Sequence, residues 1–277
     1  MLLYNDTLHA AATFSLPLPN RGLFFNDGFF ETMVWAGGAL RYQPHHLARM
    51  HRAAAVLGLP LPAALATPAA LTATLGQLVA AQPIPGLPQR VRVQFWRAGA
   101  GLYTAPEPAA TQWLATAQPF EARDTPLASV DFATTVHAQL SPVSFCKGPN
   151  ALLYVLAARE REQRGLDDIV LLSAQGYVAE AGAAAVGWIR DGAVYVPAEA
   201  AGGVAGTRLA HLKAVAATLD IAWHEGLYEP ADMLAAEAVF TANVASIRPV
   251  LRLGTVRLTS GQHPLLKQLR LADSAAG

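Results

Sequence analysis

The chain has 277 residues and a formal net charge of zero, and 14% of its residues are charged, against about 25% in an average soluble domain. Electrostatic attraction to nucleic acid or to an anionic membrane is therefore not expected. This length suits roughly two domains. So few charges on an apolar chain also predict a large buried subunit interface, and we expect a homodimer.

The uncharged stretch from residue 53 to 89 superficially resembles a membrane segment, but prolines interrupt it. Its longest proline-free part, residues 69–82, is too short to cross about 30 Å of hydrocarbon as a helix. The N-terminal residues lack a basic region followed by an apolar core, so no signal peptide is expected. The single cysteine, Cys146, fits a reducing compartment, and we expect a cytoplasmic protein.

Apolar runs and turn signals predict the elements of the N-terminal part. A helix is expected from Pro44 to a stop at Gly58, and a second one opens at Thr67-Pro68, a capping residue followed by an N1 proline. A loop follows at residues 97–103. The strands predicted here are residues 2–4, 29–35, 40–42, 90–96 and 112–116.

Residues 118–128 are polar and proline-containing, which predicts a linker between an N-terminal α/β domain, residues 1–117, and a C-terminal domain, residues 129–277. Asp191-Gly192 predicts a tight hairpin. The C-terminal elements that we expect are helices at residues 151–164 and 209–219 and strands at 169–172, 186–189, 193–196 and 238–241. A further strand is expected to follow the turn at 175–176 and to run into Glu180.

Lys147 and Glu180 frame the first predicted helix and the next strand of the C-terminal part. A lysine amine can hold the aldehyde of pyridoxal phosphate as a Schiff base, and a carboxylate can keep the ring nitrogen of this cofactor protonated. Neither group suffices alone. Together they favour pyridoxal phosphate as the cofactor. No metal site is expected, because His45 and His46 lack a third ligand at metal spacing.

A phosphate group would need its own contacts. Glycines lead into the predicted helix at 209–219, so the backbone amides at Gly206 and Thr207 can bind an anion at the positive end of the helix dipole. Thr241 and Arg49 are further candidates, the arginine as a permanent cation.

Six segments follow one another in the order of a known family pattern. They are Arg21-Gly22 with residues 26–32, then residues 46–50, 147–150, 178–180, 237–241 and 247–250. They resemble, in turn, R-G with G-D-G-x-[FY]-E-T, H-L-x-R-L, K-x-x-N, V-x-E, E-V-F-x-T and I-x-P-V of the class IV aminotransferases. These fold type IV pyridoxal phosphate enzymes include branched-chain aminotransferase, D-amino acid aminotransferase and 4-amino-4-deoxychorismate lyase.

The resemblance implies a two-domain α/β (α+β) fold of type IV, dimeric, with the cofactor cleft between the domains and the Schiff-base lysine, Lys147, in the C-terminal domain. It gives the pyridine nitrogen to Glu180 and phosphate contacts to Arg49 and Thr241, beside the Gly206 and Thr207 amides. It also brings the loop at 97–103 near the substrate. Candidate substrate contacts are Phe30, Arg97 and Tyr103.

Two departures from the family pattern stand out. After Glu180 the family carries hydroxyls and an asparagine, whereas this chain has Ala181-Gly182-Ala183-Ala184-Ala185. The segment of this chain that corresponds to the family's G-[IV]-[TM]-R loop also departs from that pattern. Arg208 is therefore not expected to take the role of the family's arginine.

Three functions stay open. The first is a pyridoxal phosphate-dependent aminotransferase acting on an amino acid or related amine. The second is 4-amino-4-deoxychorismate lyase, which releases pyruvate and 4-aminobenzoate; the chain length suits it, but Ala151 stands where that lyase often has an arginine. The third is a noncatalytic ligand-binding protein that has kept the fold. The loop at 97–103 lacks the Arg-x-His carboxylate trap of a D-amino acid aminotransferase, which argues against that specificity, and no other feature indicates the substrate.

Overall fold

The computed structural model describes residues 1–105, 108 and 110–276. The chain folds into two compact units. Unit 1 comprises Met1–Glu121 and Cys146–Pro149, and unit 2 comprises Ala122–Phe145 and Asn150–Gly277. The break after Glu121 lies inside the segment predicted as a linker. Cys146–Pro149, which includes the lysine expected in the C-terminal domain, belongs to unit 1. The expected domain limits stay a prediction.

Unit 1 is built on a six-stranded antiparallel sheet with the order β2-β1-β6-β5-β3-β4. Its strands are β1 (Leu2–Tyr4), β2 (Thr7–His9), β3 (Gly28–Ala36), β4 (Ala39–Leu40), β5 (Gln89–Arg97) and β6 (Thr111–Pro119), and its helices are α1 (Arg21–Phe25), α2 (Gln43–Leu57) and α3 (Pro68–Ala80). Side chains alternate along β3, so Phe29, Glu31 and Met33 are buried while Phe30 and Thr32 are half-buried on the other face.

The predicted helix boundaries in unit 1 are confirmed by their caps. Gly58 adopts a left-handed φ of 60° after α2 and donates to the carbonyls of Ala54 and Ala55. At the start of α3, the Thr67 hydroxyl accepts from the Ala70 amide and a proline occupies the first turn. Both helices pack against the sheet, and α2 thereby carries His46 and Arg49 to the buried side of β3.

Unit 2 has two five-stranded sheets, ordered β12-β11-β10-β13-β14 and β16-β15-β7-β8-β9. The strands are β7 (Val130–Ala138), β8 (Asp168–Ser173), β9 (Val178–Ala181), β10 (Ala185–Arg190), β11 (Ala193–Pro197), β12 (Trp223–Gly226), β13 (Ala238–Ala242), β14 (Ile247–Val250), β15 (Arg252–Leu253) and β16 (Val256–Arg257), and the helices are α4 (Ala151–Gln163), α5 (Thr207–Thr218), α6 (Pro230–Leu234) and α7 (Pro264–Ala276). The predicted hairpin is confirmed: Asp191 and Gly192 both have positive φ.

Three apolar clusters stack these elements into layers. An inter-sheet core, which includes Val170, Trp188 and Val239, lies between the two sheets. The outer face of the first sheet packs against α5 and α7, and that of the second packs against α4 through Ala157. In the described part of the chain, no helix is long and apolar enough to span a membrane.

Candidate active site

The segment that carries Lys147 is held against the start of β3. The Phe30 amide donates a 2.8 Å hydrogen bond to the Lys147 carbonyl, so the two residues form an antiparallel bridge. The Asn26 side-chain amide donates at 2.7 Å to the Gly148 carbonyl. Gly148 has a φ of 130°, and a Cβ there would lie 3.0 Å from the Phe29 α-carbon. The backbone at Lys147 is thus held against β3 by contacts that only glycine permits at position 148.

Arg49 belongs to a buried cluster on the face of β3 that carries the Glu31 side chain. Its Nε and Nη2 donate to Oε1 and Oε2 of Glu31, each at 2.7 Å, and His46 Nδ1 lies 2.8 Å from Oε2. Burial alone would raise the pKa of Glu31, but the charge of Arg49 and hydrogen bonds from both partners lower it to about 2. The ionised carboxylate accepts two hydrogen bonds from the guanidinium and thereby fixes its orientation.

His46 is neutral in this cluster. Burial lowers its pKa below 6.5, and the charges of Arg49 and Lys147 add to that effect, while Glu31 opposes it. Because the Glu31 carboxylate can only accept, Nδ1 carries the proton. Nε2 is then a buried acceptor, and no described residue hydrogen-bonds to it.

Glu180 is the buried carboxylate of unit 2. It lies on β9, which pairs with β8 through a register shift at Leu171 and Leu172. The Tyr154 hydroxyl donates to its Oε1 at 2.7 Å, and the Val204 amide donates to the same oxygen at 3.2 Å. The side chain is 5% exposed. An oriented acceptor of this kind suits a protonated ring nitrogen.

Gly206 and Thr207 form the N-terminus of α5. Gly206 is the N-cap, and its carbonyl accepts from the Ala210 amide. A Cβ on Gly206 would lie 3.2 Å from the Ala185 Cβ, so α5 begins beside the first residue of β10. The first amides of a helix have no partner within it, which makes this end of α5 a suitable anion site.

Thr241 lies near the same end of the sheet but on its other face. It is opposite Val186 in the β13–β10 pair, one residue from the Ala185–Ala242 pair. Because side chains alternate along a strand, Thr241 shares the face of Val239 in the inter-sheet core, whereas α5 packs on the opposite face. Its phosphate contact stays a prediction.

Arg208 has a structural environment. Its Nε donates to Asp273 at 3.2 Å, its Nη2 is hydrogen-bonded to the same carboxylate, and its Nη1 donates to the Asn243 carbonyl at 3.2 Å. Both charged side chains are buried. The guanidinium therefore links α5 to α7 and to the end of β13, which explains an arginine at this position without any ligand.

The alanine segment after Glu180 is supported by the loop that follows β13. The Asn243 side chain donates to the Ala183 carbonyl at 3.1 Å and accepts from the amides of Ala245 and Ser246. A side chain from elsewhere in unit 2 thus stabilises a segment that has no hydroxyl or amide side chain of its own.

The three candidate substrate residues differ in their surroundings. Arg97 donates to Asp27 at 3.1 Å and to the carbonyls of Leu57 and Gly58, which is a structural set of partners. Tyr103 is 91% exposed. Phe30 is half-buried, and the Arg92 guanidinium lies 3.6 Å from its ring centroid. Substrate contact by any of the three stays a prediction.

Sequence reasoning missed Tyr154, Glu31 and His46 as functional neighbours. Tyr154 had a signal, because it is the only hydroxyl-bearing side chain among residues 151–158. Glu31 also had one, since a carboxylate inside an apolar strand needs a partner when it is buried. The identity of that partner depends on how α2 docks on β3, which a sequence pattern does not specify.

The sequence of the chain matches a known family. The sequence model of amino-transferase class IV matches residues 28–253, and the chain belongs to this family. The resemblance drawn from the motifs is thereby confirmed. No curated protein sequence matches the chain.

Solved structures confirm the two-domain type IV fold class. The branched-chain aminotransferase of Thermoproteus uzoniensis with norvaline is 19% identical at a TM-score of 0.85, over 99% of this chain and 93% of that one. A proposed 4-amino-4-deoxychorismate lyase of Legionella pneumophila is 20% identical at 0.84, over 96% and 97%. A hypothetical aminotransferase of Mycobacterium tuberculosis, in its PLP-bound form, is 18% identical at 0.85, over 100% and 98%.

Proposed function

We propose that the chain is a pyridoxal phosphate-dependent aminotransferase that acts on an amino acid or a related amine. The observation that carries this proposal is the buried Glu180 carboxylate, which Tyr154 and Val204 orient through one oxygen. Removing a carboxylate from water is costly. A carboxylate fixed in this way on a family fold that uses this cofactor is best explained by a cationic ring nitrogen as its partner.

The residues present fit the cofactor. Gly203 lies against Glu180, and a Cβ there would come within 3.5 Å of the carboxyl carbon and 3.1 Å of the Ala179 carbonyl. The glycine therefore leaves space beside the carboxylate. Arg49 supplies a fixed cation and the N-terminus of α5 supplies amide donors, both of which suit a phosphate. When bound, pyridoxal phosphate supplies a ring that withdraws electrons from the substrate carbon.

Each residue then has a defined role. Lys147 would hold the cofactor through Nζ and, once released by the substrate amine, would move a proton at the substrate α-carbon. Glu180 would keep the ring nitrogen protonated. Arg49, the amides of Gly206 and Thr207, and the Thr241 hydroxyl would bind the phosphate.

Borohydride reduction tests the lysine directly. Protein incubated with pyridoxal phosphate should show an absorbance band that reduction removes, and peptide mapping should find the label on Lys147. Lys147→Ala should lose the band, the label and all transfer of an amino group. Protein that shows no such band after purification with the cofactor would contradict the proposal.

A lyase reaction is the second candidate. Its motivation is that the Legionella structure, which is titled as such a lyase, shares this fold over 97% of its chain. Pyruvate released from 4-amino-4-deoxychorismate without a keto-acid acceptor would establish the lyase. Dependence of turnover on a keto-acid acceptor, found in a screen of donors and acceptors, would establish the aminotransferase.

A noncatalytic ligand-binding role is the third candidate, and the alanine segment after Glu180 motivates it. Turnover with any amino donor that Lys147→Ala abolishes would eliminate this candidate. The retention of both the lysine and the oriented carboxylate favours catalysis, because a simple ligand-binding cleft has no need of either group in these positions.

We also propose that the protein is a homodimer. Leu152 and Val155, on one side of α4, are 70% and 61% exposed, and exposed apolar side chains at helical spacing are typical of interfaces. Light scattering on the purified protein should give twice the chain mass. A Leu152→Glu/Val155→Glu variant should shift that mass toward the monomer.

A cytoplasmic location is proposed on the state of the single cysteine. Cys146 is the single cysteine of the sequence, so the chain cannot form an intramolecular disulfide, which fits a reducing compartment. Fractionation of cells that express the protein would test the location.

A further inference from the structure

Asn26 adopts a backbone conformation that most side chains avoid. It caps α1 with φ 53° and ψ 34°, and its amide donates to the Arg21 carbonyl. Glycine adopts this left-handed conformation most readily, and asparagine is among the few other residues that tolerate it. A glycine would therefore give the same backbone, so the contact that needs explaining is the one made by the asparagine side chain.

That contact reaches the backbone next to the lysine. The Asn26 Nδ2 donates to the Gly148 carbonyl at 2.7 Å across 122 residues of sequence. One residue earlier, the Lys147 carbonyl accepts from the Phe30 amide at 2.8 Å. Two consecutive carbonyls are thus held by the chain at the start of β3, one by a side chain and one by the backbone.

The support behind Asn26 is rigid. The neighbouring Asp27 carboxylate accepts from Arg21 Nε at 2.7 Å and from Arg97 Nε at 3.1 Å. Gly28 packs so closely on β5 that a Cβ would come within 1.9 Å of the Phe95 carbonyl. The chain that follows Asn26 is consequently fixed, and a fixed donor can orient its acceptor without a further loss of entropy.

We propose that Asn26 is a positioning residue for Lys147. Its side chain fixes the peptide that follows the lysine and thereby limits the directions in which Nζ can project. The inference rests on the proposed function, in which Lys147 holds pyridoxal phosphate, but the position of the lysine can be measured without the cofactor.

The first experiment uses cofactor-free protein. The chain has three lysines, Lys147, Lys213 and Lys267, so trace acetylation with isotopic acetic anhydride reports all three in one digest. Asn26→Gly should raise the labelling of half-buried Lys147 relative to the other two by about fivefold, the usual weight of a neutral hydrogen bond. An unchanged or lower ratio would overturn the proposal.

A matched control separates positioning from general loosening of unit 1. Asn5 is also left-handed, with φ 44°, and its Oδ1 accepts from the Trp113 amide at 2.9 Å. Asn5→Gly removes a side-chain hydrogen bond to the backbone at another turn, one in which the asparagine accepts, and should leave the Lys147 ratio unchanged. If it raises the ratio as much as Asn26→Gly does, the effect is general and the proposal fails.

Asn26→Asp adds a charge-sensitive measurement. Aspartate also tolerates the left-handed conformation, but its carboxylate cannot donate to the Gly148 carbonyl. The new negative charge should displace the pH profile of Lys147 labelling to higher pH, because it favours the ammonium form. A profile that matches the wild type would show that residue 26 does not act on the lysine.

The second experiment uses the cofactor-loaded protein. The rate at which pyridoxal phosphate attaches to Lys147, measured by borohydride reduction, should fall about fivefold in Asn26→Gly. It should stay unchanged in Asn5→Gly. Wild-type protein in which Lys147 is never labelled would refute the proposed function. The acetylation ratios would then still decide whether Asn26 positions the lysine.

Discussion

The Tyr154 hydroxyl donates a 2.7 Å hydrogen bond to Oε1 of Glu180, 26 residues further along the chain. The Val204 amide donates to the same oxygen, so groups from α4 and from the loop before α5 meet on one carboxylate oxygen. A hydrogen bond to a charged acceptor contributes about 1.5 to 3 kcal/mol. Tyr154 is therefore expected to orient the acceptor that we assign to the cofactor ring.

Tyr154→Phe removes this donor and keeps the ring. We expect the dissociation constant of pyridoxal phosphate to rise by roughly tenfold or more, measured by fluorescence titration of cofactor-free protein. Tyr177→Phe, which removes a half-buried hydroxyl elsewhere in unit 2, serves as the control. Equal affinities for the two variants would show that the hydrogen bond to Glu180 does not contribute to cofactor binding.

The Glu31 cluster predicts a loss of stability in acid. The pKa of Glu31 falls from 4.5 to about 2 on folding. A group whose pKa is depressed in this way stabilises the folded state above the unfolded pKa, and the contribution is lost as the pH falls through the folded value. The free energy of unfolding, measured in urea, should therefore decline from pH 5 toward pH 2.

Glu31→Gln separates this cluster from other acid-sensitive groups, such as Glu160, whose pKa is also lowered to about 2. The variant leaves the Arg49 charge buried and poorly compensated, which should cost about 3 kcal/mol at pH 7. Its stability should also fall less steeply between pH 5 and pH 3 than that of the wild type. The exposed Glu121→Gln should match the wild type, and identical slopes for all three proteins would refute the assignment.

Arg21 is predicted to order the loop that follows β5. Its guanidinium is buried, binds Asp27, and donates to the carbonyls of Ala100, Leu102 and Tyr103 at 3.3, 2.6 and 3.4 Å. A lysine cannot reproduce this fork of donors. Arg21→Lys should therefore speed hydrogen exchange in peptides that cover residues 98–105, measured by mass spectrometry.

A second variant serves as the control for this exchange experiment. Arg123→Lys changes an exposed arginine and should leave exchange at 98–105 unaltered. If substrate contacts lie in this loop, Arg21→Lys should also raise KM more than it lowers kcat. Unchanged exchange in Arg21→Lys would mean that the loop is ordered without this side chain.

Local signals made part of this structure predictable. Thr67-Pro68, Gly58 and Asp191-Gly192 mark helix and hairpin ends through backbone chemistry that operates within a few residues. In contrast, β7 was not predicted, because its buried positions do not alternate regularly and its pairing with β8 shifts register between Phe132 and His137. That irregularity is set by a partner strand, which a local pattern does not contain.

The candidate site divides in the same way. Lys147 and Glu180 could be proposed from the sequence because the chemistry requires their residue types, Arg49 because of its position in a motif, and the α5 amides because glycines lead into that helix. The contacts that orient these groups come from side chains far along the sequence, such as Asn26 on Gly148 and Tyr154 on Glu180. Such partners depend on docking between elements, so sequence reasoning left them out.

Gly203 gives a steric prediction at the carboxylate. A Cβ on this residue would lie 3.1 Å from the Ala179 carbonyl and 3.5 Å from the Glu180 Cβ and carboxyl carbon. In Gly203→Ala the added methyl would crowd the Ala179 carbonyl, so the strand beside Glu180 must shift slightly, and such overpacking costs about 1 to 3 kcal/mol. We expect a lower melting temperature and a cofactor affinity that falls by roughly fivefold or more, since each 1.4 kcal/mol is a factor of ten. Gly86→Ala is the matched control, because a Cβ there meets no atom within 4 Å and both quantities should match the wild type. Normal affinity in Gly203→Ala, together with reduced stability, would show that the glycine serves packing and not the approach to Glu180.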